Sequence, residues 1–241
     1  MSAAIRAIQA QLKVDNYYKG SIDGLHGRKS QEALREAIDS GKFKLYFNYN
    51  LFKIMFKRPK LSQSFVDSVN GLFQVFNEYN NIDATNPNYI AYMLGTSYLE
   101  TDTSMAAIKE YGGANYFSKY GRGTLAKQLG NRNVADGIKY AGRGHVMITG
   151  RDNYQKFSTI LGIDLISNPD LALNPVVSAK ILTIGCIHGV FTTKKLGDYI
   201  RLGNRTEFRN ARRVVNGTDR ASDIAIHAEK FLECVILIKT V

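Results

Sequence analysis

Three acids stand close together in SYLETDTSMAAIKEYGG, residues 97–113: Glu100, Asp102 and Glu110, against the single base Lys109. Paired carboxylates can do acid–base work, one giving a proton to a leaving group and the other taking one from water. Glu100 closes the apolar segment NYIAYMLGTSYL. Read as a helix, that segment leaves Glu100 at its C-terminus, where the helix dipole disfavours negative charge and Tyr98, Leu99 and Met105 would desolvate it; both suit a proton donor. Ten further residues of straight helix would put Glu110 about 15 Å away. TDTS continues a helix poorly and turns well, so the chain can bend and bring Glu110 back across a cleft. A gap of ~6.5–9.5 Å between two carboxyls leaves room for a water between base and sugar, as inverting glycoside hydrolysis requires.

A second cluster, YAGRGHVMITGRDNY at 140–154, holds Gly142, Gly144 and Gly150 beside Arg143, Thr149, Arg151 and Asn153. The glycines permit close backbone approach to a ligand. Thr149, Asn153 and the two arginines offer hydrogen bonds suited to sugar hydroxyl and acetamido groups. A GxG without a flanking strand and helix is weak ground for a phosphate loop.

Positioning these residues falls to a chain that reads as mainly α. LSQSFVDSVNGLFQVFNEYN carries Phe65, Val69, Leu72, Phe73 and Phe76 on one stripe. NPNYIAYMLGTSYLE starts with Asn86 as N-cap and Pro87 in the first turn. PVVSAKILTIGCIHGVF reads as a buried helix and RASDIAIHAEKFLECVILI as a last one, with Phe231, Leu232, Val235, Ile236 and Ile238 expected in the core. The first forty residues read as a small unit of their own. Ile5, Ile8 and Leu12 share one helix face, glycines at 20, 24 and 27 mark turns, and Ala33, Leu34, Ala37 and Ile38 resume the helical period. GKFKLYFNYNLFKIMFKRPK, residues 41–60, mixes aromatic and basic residues and reads as a linker that packs its aromatics and leaves lysines in water. The expected division is 1–42, a linker at 43–60, and a larger helical domain at 61–241.

With 241 residues and 44% hydrophobic content the chain can bury a core. Its net charge of +11 is uneven: residues 1–60 carry 12 Lys/Arg against 5 Asp/Glu, the rest 20 against 16. That basic first quarter suggests an anionic partner: nucleic acid, a membrane surface or an acidic polymer such as a bacterial wall. Nucleic acid would need a basic cleft without central carboxylates, so it is not expected. No apolar run approaches the ~20 residues of a membrane span, and MSAAIRAIQAQLKV lacks the continuous apolar region of a signal peptide. His26, His145, His188 and His227 have no metal spacing, and His145 and His188 read as satisfied polar residues in or near the core. Cys186 and Cys234 sit among apolar neighbours as core residues. No metal and no cofactor is expected.

Two resemblances sharpen this. IQAQLKVDNYYKGSIDGLHGRKSQEAL resembles the peptidoglycan-binding repeat of bacterial and phage wall hydrolases, with Ile22, Asp23, Gly24, Gly27, Ala33 and Leu34 in register and Ser30 in place of the usual Thr. It implies wall contacts by Tyr18, Asp23 and Gly24. AYMLGTSYLET, AIKEYGG, YAGRGHVMITGRDNY, NPDLALNPVVSA and ARRVVNG, in order across 91–217, resemble the motifs of glycoside hydrolase family 19, the chitinase-like fold also used by many phage endolysins. That resemblance implies Glu100 as general acid, Glu110 as general base and Thr149 as the hydroxyl that holds the water. It implies Asn153, Tyr154 and Asn216 as sugar contacts and Arg143 as a substrate-side residue bracing its loop. Two positions depart from the family: Leu99 replaces a His and Met147 a Gln.

The expected protein is thus an endolysin that cuts β-1,4 bonds of peptidoglycan by inversion. It would be a monomer without stable membrane insertion, made in a host cytoplasm and reaching the wall or periplasm through holin-type lesions. A lytic transglycosylase, needing one acid alone, a chitinase, and a non-enzymatic wall-binding protein are the alternatives.

Overall fold

In the computed structural model, which describes residues 1–204 and 207–240, Ser2 opens helix α1 (Ala3–Val14) by accepting from the Ile5 amide at 3.2 Å. Ile5, Ile8 and Leu12 bury one face of α1, and Ala33, Leu34, Ala37 and Ile38 bury one face of α2 (Arg28–Asp39). Both helices lie where the periodicity puts them, but they do not form a separate module. Their apolar residues belong to the same hydrophobic core as those of the rest of the chain. Polar ties cross as well: the Ala4 amide donates to Glu233 Oε2 at 2.9 Å, Gln31 to the Ile82 carbonyl at 2.7 Å and Arg35 to the Tyr79 carbonyl at 2.9 Å.

The stretch expected as a linker is built into that core. Strand β1 (Phe43–Phe47) buries Phe43, Leu45 and Phe47 with the period of two of a half-buried strand, and α3 (Tyr49–Met55) buries Phe52. Then come α4 (Gln63–Glu78) and α5 (Pro87–Glu100), the latter capped by Asn86, which accepts from the Asn88 amide at 2.9 Å. Every residue of α5 from Pro87 to Leu99 is buried, as befits a central helix that is apolar on all sides.

Between residues 101 and 150 the chain is mostly loop, with short helices α6 (Ala114–Phe117), α7 (Gly123–Gln128) and α8 (Val134–Lys139). Regular helices return as α9 (Arg151–Leu161) and α10 (Pro175–His188), followed by the single turn α11 (Phe208–Ala211) and by α12 (Ala221–Glu233). α12 packs closely on α5 at Gly95, where an added Cβ would lie 3.0 Å from both the Ile224 carbonyl and the Ala228 amide nitrogen.

The last helix ends earlier than its sequence suggests. Val235–Lys239 is strand β2, antiparallel to β1 in a register running from Phe43↔Lys239 to Phe47↔Val235. VILIK is a β-branched apolar run that suits a strand once a partner is present. Phe231, Leu232 and Val235 are buried as expected, whereas Ile238 is exposed. The two-stranded sheet joins residues 43–47 to residues 235–239, and the other described residues are helix and loop. No helix among the described residues is long and apolar enough to cross a membrane.

Candidate active site

Helix α5 delivers Glu100 as its last residue, and the chain then reverses where TDTS predicts a turn. Asp102, Thr103 and Met105 all take left-handed backbone conformations, with φ of 49°, 62° and 57°. This is costly for a β-branched residue such as Thr103. The Thr103 amide bonds back to the Tyr98 carbonyl at 2.7 Å, and Arg58 donates to the Thr103 carbonyl. The returning chain meets the glycine-rich cluster: Glu110 N–H donates to the Gly142 carbonyl at 2.8 Å, Gly144 N–H to Ile108 at 2.9 Å and Ile148 N–H to Arg143 at 3.0 Å. Glu100 and Glu110 consequently line one cleft of about 860 Å³, together with Thr149, Asn153 and Asn216.

The Glu110 carboxylate is held at both oxygens. Tyr120 donates its hydroxyl to Oε1 at 2.7 Å and the Gly142 amide donates to Oε2 at 3.1 Å. Burial, and then the hydrogen bond to Glu110, push the Tyr120 phenol above its ordinary pKa, so it remains a donor. Gly142 lets both side chains come close: an added Cβ would lie 3.0 Å from Glu110 Oε2 and 3.3 Å from Thr149 Oγ1, and so would push on the carboxylate. The carboxylate and the hydroxyl thus flank one spot on the backbone. Thr149 donates to the Met147 carbonyl at 2.9 Å, which leaves its lone pairs to accept, and Asn153 donates to the Thr149 carbonyl at 2.8 Å.

Glu100 meets a different environment. Arg212, 2% exposed, places Nη2 2.7 Å from Glu100 Oε1, and its Nε donates to the Asp219 carbonyl at 2.9 Å. Arg220 donates to the Leu99 carbonyl at 3.2 Å. The apolar surroundings expected for Glu100 are therefore only half the picture, because a buried guanidinium is its direct partner. Arg212 and Tyr120, the direct partners of the two glutamates, are residues that the sequence pattern does not single out. Arg212 lies inside ARRVVNG, whereas Tyr120 sits in the 3-10 turn Ser118–Gly121, which matches no motif.

Several other expected site residues turn out to be supports. Arg143 and Tyr154 do not reach the cleft. Arg143, 4% exposed, bonds Asp170 at 2.7 Å, the Lys139 and Ala141 carbonyls at 2.9 Å each and the Tyr154 hydroxyl at 3.0 Å, while buried Tyr154 donates to the Ala141 carbonyl at 3.0 Å. Together they clamp residues 139–143 onto α9, which brings the Gly142 amide to Glu110. Arg151 likewise serves Asp136 and Tyr140 rather than a ligand. The glycines of this cluster make room for protein: at Gly150, φ 90°, a Cβ would sit 2.6 Å from Leu129. Of the two departures from the family pattern, Leu99 and Met147, both line the cleft.

In the N-terminal loop, Tyr18 is buried and donates to the Ser21 carbonyl at 3.0 Å, so its ring offers no surface to a wall. Asp23 accepts from Gln9 and from the Leu25 amide, both at 2.9 Å, and the buried Gly24 donates to Gln9 at 2.9 Å. All three shape their own loop. His145 is buried and its pKa is lowered by that burial to about 4, while His188 is exposed and meets the Tyr79 hydroxyl at 2.9 Å. Cys186 and Cys234 are buried free thiols, and burial pushes that of Cys234 up to about 12.

Known proteins resemble this chain in part of its sequence and in fold. Chitinase 8 of Oryza sativa subsp. japonica is 47% identical over 49 residues, a stretch covering 20% of this chain and 19% of that protein. The crystal structure of chitinase C from Streptomyces griseus HUT6037 superimposes with a TM-score of 0.55 at 21% identity, covering 77% of this chain and 90% of that one; a second structure, of a bacterial family 19 chitinase, gives 0.48 at 21% identity with 77% and 92% covered. The family described as chitinase class I, glycoside hydrolase family 19, matches residues 60–185, just over half of the sequence. The chain belongs to glycoside hydrolase family 19.

Proposed function

We propose that this chain hydrolyses the β-1,4 glycosidic bonds of bacterial peptidoglycan by single displacement with inversion, as a phage-type endolysin that lyses its host. The observation that carries the reading is the meeting of Glu100 and Glu110 in one cleft, each held by its own set of partners. In the proposed reaction Glu100, oriented through Oε1 by Arg212, gives its proton to the glycosidic oxygen. Glu110, fixed by Tyr120 and Gly142, takes a proton from the water that attacks the anomeric carbon. Thr149 accepts a hydrogen bond from that water, since its own proton is engaged by Met147. The C–O bond to the leaving sugar breaks as the new one forms, and the product carries a new reducing end. Asn153 and Asn216 supply amides along the cleft for sugar hydroxyl and acetamido groups.

The basic charge of residues 1–60 supports attraction to an anionic wall, and in this reading it acts through the field of the N-terminal surface. The chain is proposed to work as a monomer in the wall or periplasm after holin-type release, without a nucleic-acid partner or stable membrane insertion. Chitin is the second reading, favoured by the chitinase names of the relatives. Mass spectrometry of products from purified peptidoglycan and from chitin separates the cases. Reducing-end sugars from peptidoglycan are expected, anhydro-sugars would mean a transglycosylase, and cleavage of chitin alone would overturn the endolysin assignment.

A further inference from the structure

We infer that a groove continuous with the cleft receives the stem peptide that branches from the glycan strand, so that the site selects a peptide-bearing polymer over a plain one. The inference rests on the proposed peptidoglycan activity. Arg220 lines both the cleft and a neighbouring groove of about 870 Å³, and the Thr218–Arg220 segment forms the ridge between them. The Arg220 backbone is left-handed, with φ 52°, and its guanidinium donates to the carbonyl of Leu99, one residue before Glu100. The mouth of the groove therefore opens beside the proposed acid.

The walls of the groove come from α11 and α12 and the loop joining them, and they are charged with both signs. Arg209, Arg213 and Arg220 line it together with Glu207, Asp223 and Glu229. Among the described residues, none of these six takes part in an ion pair; Arg213 donates to Asn210 Oδ1 at 2.6 Å. A neutral polymer of N-acetyl sugars has no charge to offer such walls. A wall stem peptide has: it hangs from the lactyl ether of every second sugar, carries several carboxylates and commonly bears one side-chain amine. Guanidinium forks take carboxylates in paired hydrogen bonds, and Asp223 or Glu229 can take the amine. Because the branch occurs on alternate sugars, filling the groove also fixes register. One of the two linkages of the strand then lies against Glu100 and Glu110, so the groove sets which bond is cut.

The test compares steady-state kinetics of the full chain on glycan strands bearing their stem peptides and on the same strands stripped by an amidase. The intact strands are expected to show a KM lower by about tenfold with a similar kcat, the scale of one or two charge-assisted contacts. In an Arg209→Gln/Arg213→Gln variant that unfolds at the wild-type temperature, the preference ratio should fall towards one. Equal KM values for intact and stripped strands in the wild type, or a full preference retained by the folded variant, would overturn the groove assignment while leaving hydrolysis intact. Cleavage of neither strand would instead remove the peptidoglycan reading on which the inference stands.

Discussion

Tyr120 shows how much of the site lies in residues that no motif marks. Its hydroxyl reaches Glu110 Oε1 at 2.7 Å, and its carbonyl is pinned by Asn131 at 2.9 Å, so the 3-10 turn that carries it orients the proposed base. Replacing Tyr120 by Phe removes one hydrogen bond to a charged group. Steady-state kinetics should show kcat reduced about tenfold with KM little changed; an unchanged kcat would mean that Gly142 alone positions Glu110. The two glutamates were legible because a turn between them is written in TDTS, and turn chemistry is local. Arg143 braces its loop as expected but does not reach the cleft, and neither does Tyr154, because the groups that bind sugar hydroxyls are the same ones that satisfy buried carbonyls. Residue type does not say which way a side chain faces.

Helices α5 and α12 form the frame that holds Glu100. Their contact at Gly95 leaves no room for a side chain, with backbone atoms of α12 at 3.0 Å from an added Cβ. Gly95→Val should destabilise the fold by about 1–3 kcal/mol in urea unfolding and lower activity beyond what stability explains, because it displaces the helix that ends in the proposed acid. Two buried histidines tie other elements. His26 sits between Gln31 and Ser30 of α2, and His145 meets Ser97 of α5 at 3.3 Å. Burial lowers the pKa of each to about 4 from an ordinary 6.5. The unfolded chain therefore binds more protons than the folded one between those values. The stability that the neutral rings contribute is complete above pH 6.5 and is lost as pH falls towards 4. Urea midpoints should drop from pH 7 to pH 4.5, and His145→Asn should weaken that dependence; a flat profile would contradict the assignment. The long helices were readable from their period and caps. Strand β2 was not, since a five-residue apolar run fits helix or strand until its partner, nearly two hundred residues earlier, is in view.

The N-terminal helices belong to the body that carries the cleft. A helix–loop–helix pattern shows that each helix has an apolar face but not what that face covers, and so a module was expected where one shared core exists. Removing residues 1–42 takes away Tyr17, whose ring meets Phe43 edge-on at 5.8 Å, and leaves Glu233 without the Ala4 amide. The truncated chain should lose cooperative unfolding or aggregate, and calorimetry of the full chain should show a single transition. A truncated form that unfolds at the full-length temperature would restore the separate module. Two-carboxylate hydrolysis with inversion is read from proton NMR of the first product released from peptidoglycan strands, before mutarotation. The α-anomer at the new reducing end, formed by the wild type and absent with Glu100→Gln or Glu110→Gln, is the predicted result. A β-anomer, or a product without a reducing end that survives Glu110→Gln, would contradict it.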